Sequence, residues 1–378
     1  MVRATRFPAT LTVFLASIVV RCLLLPITYG PDFLVWDLAS RATLNGINIY
    51  AHHPAGYLGG PYTYPPLFLY VELPFQWLAL HTGLPFTVLG KLPIVAGDIL
   101  TGYLIALFLA KRHHGDGRIA LASAAYLLNP LVLYNGAFYG RFDAVCAGLF
   151  LLALHLHVAE GLQTWRFAGV YAAAIATKIY PVFLLPWLWM KEGRNRPRLA
   201  SALLLVVGGL SFPYLAASPR AFISDILFYN LNRTPSNLSW QIVLLDRLPF
   251  QTLWIVGALF LVIFGAVLCR LTTLDVYAAS LVGILAFLLL SKIVIEQYLL
   301  WTFPFLILQA ADARSRPDLA LFTIFTAGGM LSNHYIHPFG ERVVVLNVIL
   351  AAATLAYIAN TLRPSVATLS RARPTVAR

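Results

Sequence analysis

Ten stretches of this chain are apolar over nearly the length that a lipid bilayer demands. They lie near residues 9–27, 86–110, 117–136, 141–158, 199–217, 251–269, 275–291, 297–311, 318–331 and 343–361. A helix crossing the hydrocarbon needs roughly 20 apolar residues, and helices broken inside protein can be shorter. Only 11% of the residues are charged, too few to clothe a water-exposed surface of this size. No polar linker divides the chain, so 1–378 reads as a single all-α domain, a polytopic transmembrane bundle.

Charge placement orients the bundle. Basic residues cluster between the apolar runs, at Lys111-Arg112-His113-His114 with Arg118, at Lys191 to Arg198, at Arg270, at Arg314-Ser315-Arg316 and in the tail from Arg363. With the N-terminal tail and one further connector they account for 17 of the 27 lysines and arginines. Assigning them all to the cytoplasm satisfies the positive-inside bias, and explains the net charge of +12 better than nucleic-acid binding does. It places both termini inside and gives about twelve spans. It also requires residues 167–190 to enter and leave the membrane as two short helices, turning at Lys178-Ile179-Tyr180-Pro181, where Pro181 breaks the helical ladder.

The first run resembles a secretory leader, with Arg3 and Arg6 ahead of an apolar core. Arg21 interrupts it and no small-residue cleavage site follows, so an uncleaved first helix is expected. Cys22, Cys146 and Cys269 are too scattered for a disulfide framework or a metal site and are expected to be packing residues. The same topology leaves two long external segments. Residues 28–85 contain Asp32, Asp37 and Glu72; within them Pro65 to Ala79 is apolar, interrupted by Pro74, and reads as an interfacial helix. Residues 218–250 carry Arg220, Arg233 and Arg247.

Ionisable groups at membrane depth are costly and usually functional. Here Asp32, Asp143, Lys178, Arg233, Lys292 and Glu296 fall at the external ends of the apolar runs, the arrangement expected of a site for a lipid with a charged head group. Gly30-Pro31-Asp32-Phe33-Leu34-Val35-Trp36, Leu44-Asn45-Gly46-Ile47-Asn48-Ile49-Tyr50 and Tyr64-Pro65-Pro66-Leu67 together resemble the first external loop of the GT-C glycosyltransferases, enzymes that use polyprenyl-phosphate sugars. The resemblance is nearest to the mannosyltransferases, including the glycosylphosphatidylinositol mannosyltransferase I family and the bacterial polyprenyl-phosphate-mannose enzymes. It continues in order through Leu128-Asn129-Pro130, Gly140-Arg141-Phe142-Asp143, Lys178-Ile179-Tyr180-Pro181, Leu238-Ser239-Trp240-Gln241 and Gln297-Tyr298-Leu299-Leu300-Trp301. The eukaryotic family carries an Asp-x-Asp in the first loop; here Phe33 and Leu34 follow Asp32, so neither acceptor nor linkage is carried over.

The resemblance implies a GT-C bundle with a large first external loop. It implies inverting transfer of a sugar, mannose foremost, from a polyprenyl phosphate to a lipid or glycan acceptor at the external face. Neither cofactor nor metal is expected. A phosphate leaving group needs no proton, so one carboxylate acting as general base on the acceptor hydroxyl suffices, and cations stabilise the departing phosphate. Asp32 is the expected base. Asp143, Lys178, Tyr180, Arg233, Gln241, Lys292 and Gln297 are expected to bind donor or substrate.

Each residue also has a purely structural reading. Asp32 could cap the helix that begins after Gly30-Pro31, and Asp37 is spaced to pair with Arg41. Asp143 could be a cap or the partner of Arg141. Lys178 could snorkel to the interface. Lys292 and Glu296, four apart, could neutralise each other, and Arg233 could be solvated. His334 and His337 lack a clear carboxylate partner for a metal site. Trp36, Trp240 and Trp301 suit interface belts or packing. A transporter or flippase would call for repeated halves, paired broken helices and a charged site near mid-membrane; the sequence has one such break and no repeat. A non-catalytic binder of a lipid-linked sugar is separated from an enzyme by loss of transfer, with donor binding intact, when Asp32 is replaced. The topology itself is testable: cysteines introduced at Gly59 and Arg316 should react with an impermeant thiol reagent from opposite sides of intact vesicles. Reaction of both from one side would overturn it.

Overall fold

A computed structural model describes residues 7–27, 30–52, 61–160, 164–191, 196–229, 236–241, 274–313, 315–332 and 342–361. The run 251–269, Cys269, Arg233, Arg247 and the His334 and His337 pair lie outside them. Each of the other nine apolar runs is occupied by helix. The N-terminal part comprises α1 (Pro8–Leu24), α2 (Pro31–Leu44), α3 (Leu67–Thr82), α4 (Phe86–Lys111), α5 (Asp116–Leu127), α6 (Pro130–Phe138), α7 (Asp143–Glu160) and α8 (Trp165–Thr177). There follow α9 (Leu185–Lys191), α10 (Arg196–Ala217), α11 (Pro219–Ile223), α12 (Val276–Leu290), α13 (Glu296–Leu299), α14 (Phe303–Ala313), α15 (Arg316–Ser332) and α16 (Arg342–Thr361). Two short parallel strands, β1 (Ser236–Asn237) and β2 (Ile293–Val294), pair Ser236 with Ile293.

Helices α4 and α10, of 26 and 22 residues, are long and apolar enough to cross a membrane. Helices α5 and α6 pass the same test together, bent by 45° where Pro130 denies the ladder a donor. Asn129 caps the new start, its Oδ1 accepting from the Leu131 amide at 2.9 Å. The break at Lys178 falls where the sequence places it: α8 stops at Thr177, Lys178 is extended, and the chain resumes as a tight 3₁₀ turn over Tyr180–Leu184. Pro74 does not interrupt its helix. Helix α3 runs unbroken through it, because the buried face of Phe68, Leu69, Glu72 and Gln76 holds it against its neighbours.

Two large hydrophobic clusters and two minor ones make the interior of the described residues. The larger joins α4, α5, α7, α8, α12 and α14. The second large cluster is mostly aromatic and fastens the described part of the 28–85 segment to the corner after α6. Phe33, Trp36, Tyr50, Tyr62, Phe68, Phe142, Tyr214 and Phe222 are all buried in it, with Phe68 stacked on Phe142 at 4.1 Å. Trp36 is therefore a core residue and not part of an interface belt. Burial raises the Glu72 carboxyl well above the usual carboxylate range, and the charge of Asp37 adds to the effect.

Arg21, which interrupts the first apolar run, is wholly buried against Asp98 of α4 at 3.2 Å. It also donates to the Ser17 hydroxyl at 2.6 Å and to the Leu127 carbonyl at 2.7 Å. One guanidinium thus ties α1 to α4 and α5. Removing one partner of a buried pair leaves the other uncompensated, at a cost of about 3–5 kcal/mol, whereas replacing both with apolar groups is often nearly neutral. Arg21→Met should therefore lower the thermal midpoint in detergent far more than Arg21→Met combined with Asp98→Leu. Equal losses would show that the pair does not act as a unit.

Candidate functional site

The candidate site is built on the corner between α6 and α7. The last turn of α6, Tyr134–Phe138, is a π-turn, a widening that often re-aims side chains at functional places. It offers the Asn135 carbonyl to the Arg141 amide at 2.8 Å. Gly140 follows at φ +81°, and a Cβ there would come within 2.5 Å of the Phe33 ring, so only glycine fits. Gly30, on the facing strand of chain, donates to the Tyr139 carbonyl at 2.8 Å, and a Cβ there would collide with the Tyr139 ring. These two close approaches bring the start of α2 onto the corner.

Three consecutive residues then diverge. Phe142 enters the aromatic cluster. Arg141 bridges: its Nε donates to Asp32 at 2.9 Å, and one terminal nitrogen donates to Asn135 at 2.7 Å and to Glu296 at 2.5 Å. Its guanidinium also lies 4.3 Å from the Tyr139 ring. Asp143 turns the other way and accepts from Lys178 at 2.7 Å and from the Trp301 indole at 2.6 Å, both on the same oxygen. The rings of Tyr64, Phe142, Tyr298 and Trp301 surround the Lys178 ammonium at 5.3 to 5.4 Å, an attractive arrangement for a cation. Tyr180 stacks on Trp301 at 4.2 Å. Tyr64 stands beside both ion-pair systems; desolvation pushes its phenol well above the ordinary value, and Asp32 is the next largest influence.

Access separates these charges. The Asp32 side chain is 36% exposed, against 8% for Arg141, 6% for Glu296, 6% for Lys178 and 3% for Asp143. Among the five, Asp32 alone presents an open oxygen-bearing face to an incoming molecule.

The remaining candidates lie along the β1 and β2 ladder. Gln241 is buried, its amide donating to the Leu290 carbonyl at 2.8 Å, and its Oε1 has no partner among the described residues. Gln297 is likewise buried with an unpartnered Oε1. Lys292 is half-buried immediately before β2. Ser239, between β1 and Gln241, donates to the Ser291 carbonyl at 2.8 Å. The ladder thus carries Gln241 and Lys292 on adjoining chain segments.

Several pairings differ from those the sequence spacing favours. Asp32 does not cap α2: Gly30 occupies the N-cap, and Asp32 is committed to Arg141. Asp143 pairs with Lys178 and not with its neighbour Arg141. Glu296 pairs with Arg141, because β2 separates it from Lys292 and the two do not share a helix. Asp37 does pair with Arg41, at 2.6 Å. Trp301 is a buried hydrogen-bond donor instead of an interface residue. Arg141 is the residue whose importance sequence reasoning missed. The signal was present, since Gly140-Arg141-Phe142-Asp143 follows an apolar run and places a cation where burial demands counter-charges.

The profile of glycosyltransferase family 87 matches residues 62–291. Over 356 residues the chain is 25% identical to GPI mannosyltransferase 1 of Eremothecium gossypii, covering 87% of this chain and 85% of that protein. It is 29% identical over 168 residues to GPI mannosyltransferase 1 of Gibberella zeae, covering 43% of this chain and 35% of that relative. A third relative is the polyprenol-phosphate-mannose-dependent alpha-(1-2)-phosphatidylinositol mannoside mannosyltransferase of Mycolicibacterium smegmatis, 25% identical over 331 residues, which cover 80% of this chain and 74% of that protein.

Proposed function

The chain belongs to glycosyltransferase family 87, and on that premise we propose that it transfers mannose from a polyprenyl-phosphate donor to a lipid or glycan acceptor at the external membrane face. The names of its relatives from Eremothecium gossypii and Mycolicibacterium smegmatis support mannose, and the latter supports the polyprenol-phosphate donor. In this reading the chain is a multi-pass membrane protein of about twelve spans with both termini cytoplasmic. The acidic and basic cluster around Arg141 lies at the outer ends of those spans.

The observation that carries the proposal is the open carboxylate of Asp32, held by a buried guanidinium. Arg141 aims one Asp32 oxygen inward, leaving the exposed face free to accept a proton. The acceptor hydroxyl oxygen attacks the anomeric carbon of the donor sugar. The bond to the phosphate oxygen breaks with its electron pair, the polyprenyl phosphate departs, and the hydroxyl proton passes to Asp32. Attack opposite the leaving group inverts the anomeric configuration. The departing phosphate gains negative charge that must be met by preorganised cations.

The ion pairs set a condition on that last requirement. In the ion pairs of the described residues Asp32, Glu296 and Asp143 meet Arg141 and Lys178, so these five groups together carry one excess negative charge when all are ionised. Lys178 can meet the phosphate only by sharing itself with Asp143. Lys292 and Arg233 are the further cations we assign to the phosphate, and the Gln241 and Gln297 side-chain oxygens are acceptors for sugar hydroxyls.

Asp32→Asn removes the proton acceptor while retaining an oxygen for Arg141. With donor saturating, turnover should fall by roughly 10²–10⁴-fold, the usual size of general-base catalysis, with donor binding little changed. Asp37→Asn breaks only the pair with Arg41 and should leave the chemical step intact. Arg141→Lys cannot reach Asp32, Asn135 and Glu296 together and should slow turnover although Asp32 is present. An Asp32→Asn protein that turns over near the wild-type rate under saturating donor would remove Asp32 from the mechanism.

A further inference from the structure

A groove lies along α5 from Arg118 to Ala125, with Arg118 at the end of α5 remote from α6, and α6 separates α5 from the corner that carries Arg141. Helices α5, α14 and α15 form it, and it encloses about 320 Å³. Its walls are apolar, among them Ala122, Leu306, Ile307 and Phe322, while Arg118, Ser315 and Arg316 supply the polar side chains among the described residues. No acidic residue among the described residues lines it. Leu121 and Leu319 flank it at 72% and 57% exposure, large apolar surfaces that suit contact with lipid.

The nearby charges leave the two arginines available. Asp312, a carboxylate at the same end, is already engaged by Arg112 and by His114 at 2.9 Å. Among the described residues the polar contact of the Arg118 side chain is with the His114 ring, at 3.0 Å. Among the described residues neither Arg118 nor Arg316 is paired with a carboxylate.

We infer that this groove binds an anionic phospholipid, with an acyl chain laid between Leu306, Phe322 and Ala122 and the head-group phosphate held by Arg118 and Arg316. An apolar trough alone would accept any acyl chain. The two unneutralised guanidiniums at its edge select a phosphate that carries net negative charge, and basic pockets between helices at the cytoplasmic side are suited to such head groups. A zwitterionic head group brings a cation of its own against the arginines and loses that advantage. This site is separate from the transfer reaction, and its test does not depend on the identity of the donor.

The test uses the full-length protein, delipidated in mild detergent and titrated in native mass spectrometry with palmitoyl-oleoyl phosphatidylglycerol or phosphatidylcholine. Phosphatidylglycerol should be retained at least about tenfold more strongly, as expected when two basic side chains each contribute to anionic-lipid attraction. Arg118→Gln with Arg316→Gln should abolish that preference. Ala310→Trp, which fills the groove and leaves both arginines in place, should remove the tight phosphatidylglycerol adduct. Equal retention of the two lipids by the wild-type protein would overturn the inference whatever the variants do. So would a preference undiminished by Ala310→Trp, a wild-type dimer that Ala310→Trp dissociates, or displacement of the lipid by millimolar glycerol phosphate, which would show a site for a free phosphate.

Discussion

The site depends on one buried guanidinium. Arg141 is 8% exposed and holds two carboxylates drawn from residues far apart in the chain, Asp32 at the start of α2 and Glu296 at the start of α13. Charges withdrawn from water are tolerated only when paired and hydrogen-bonded. Arg141 meets that condition with Asn135 completing its donors, and in doing so fixes where the 28–85 segment sits. The Gly30 amide and the Trp36 indole add neutral hydrogen bonds to the Tyr139 and Gly140 carbonyls, and Arg141 supplies the charged contact to that segment.

The same economy recurs at other buried charges of this apolar chain. Arg21 meets Asp98, and Lys178 meets Asp143 under a roof of four rings. Lys91, also buried, donates to the carbonyls of Leu25 and Phe138 at the ends of two helices. Each such group joins elements remote in sequence. Asp32 departs from the pattern in one respect, since it is paired and yet open. A carboxylate held in place and still reachable is what proton abstraction from a bound hydroxyl requires.

Helix placement was legible in the sequence because it is set by local composition. The apolar runs and the basic connectors fixed nine helical regions to within a few residues, and Pro181 marked a real break, whereas the run 117–136 read as continuous and is bent by 45° before Pro130. Ion-pair partners were not legible, because they are chosen by tertiary placement. Lys292 and Glu296 are four apart and read as a helical pair, but two residues between them join a strand, which turns Glu296 toward Arg141. Asp143 and Lys178 are 35 residues apart, and no spacing rule could join them. Pro74 misled in the opposite sense, since the buried face of α3 outweighs one lost backbone hydrogen bond. Trp36 and Trp301 suited either an interface belt or packing; burial and the Asp143 hydrogen bond decide for packing.

The most direct measurement is transfer by the purified protein in proteoliposomes from radiolabelled donors, comparing polyprenyl-phosphate mannose with polyprenyl-phosphate glucose, polyprenyl-phosphate arabinose and nucleotide-linked mannose. Label should reach a lipid or glycan acceptor from polyprenyl-phosphate mannose and not from the nucleotide sugar. Transfer from nucleotide-linked mannose in the absence of a lipid donor, or no transfer from any polyprenyl-phosphate sugar, would contradict the assignment.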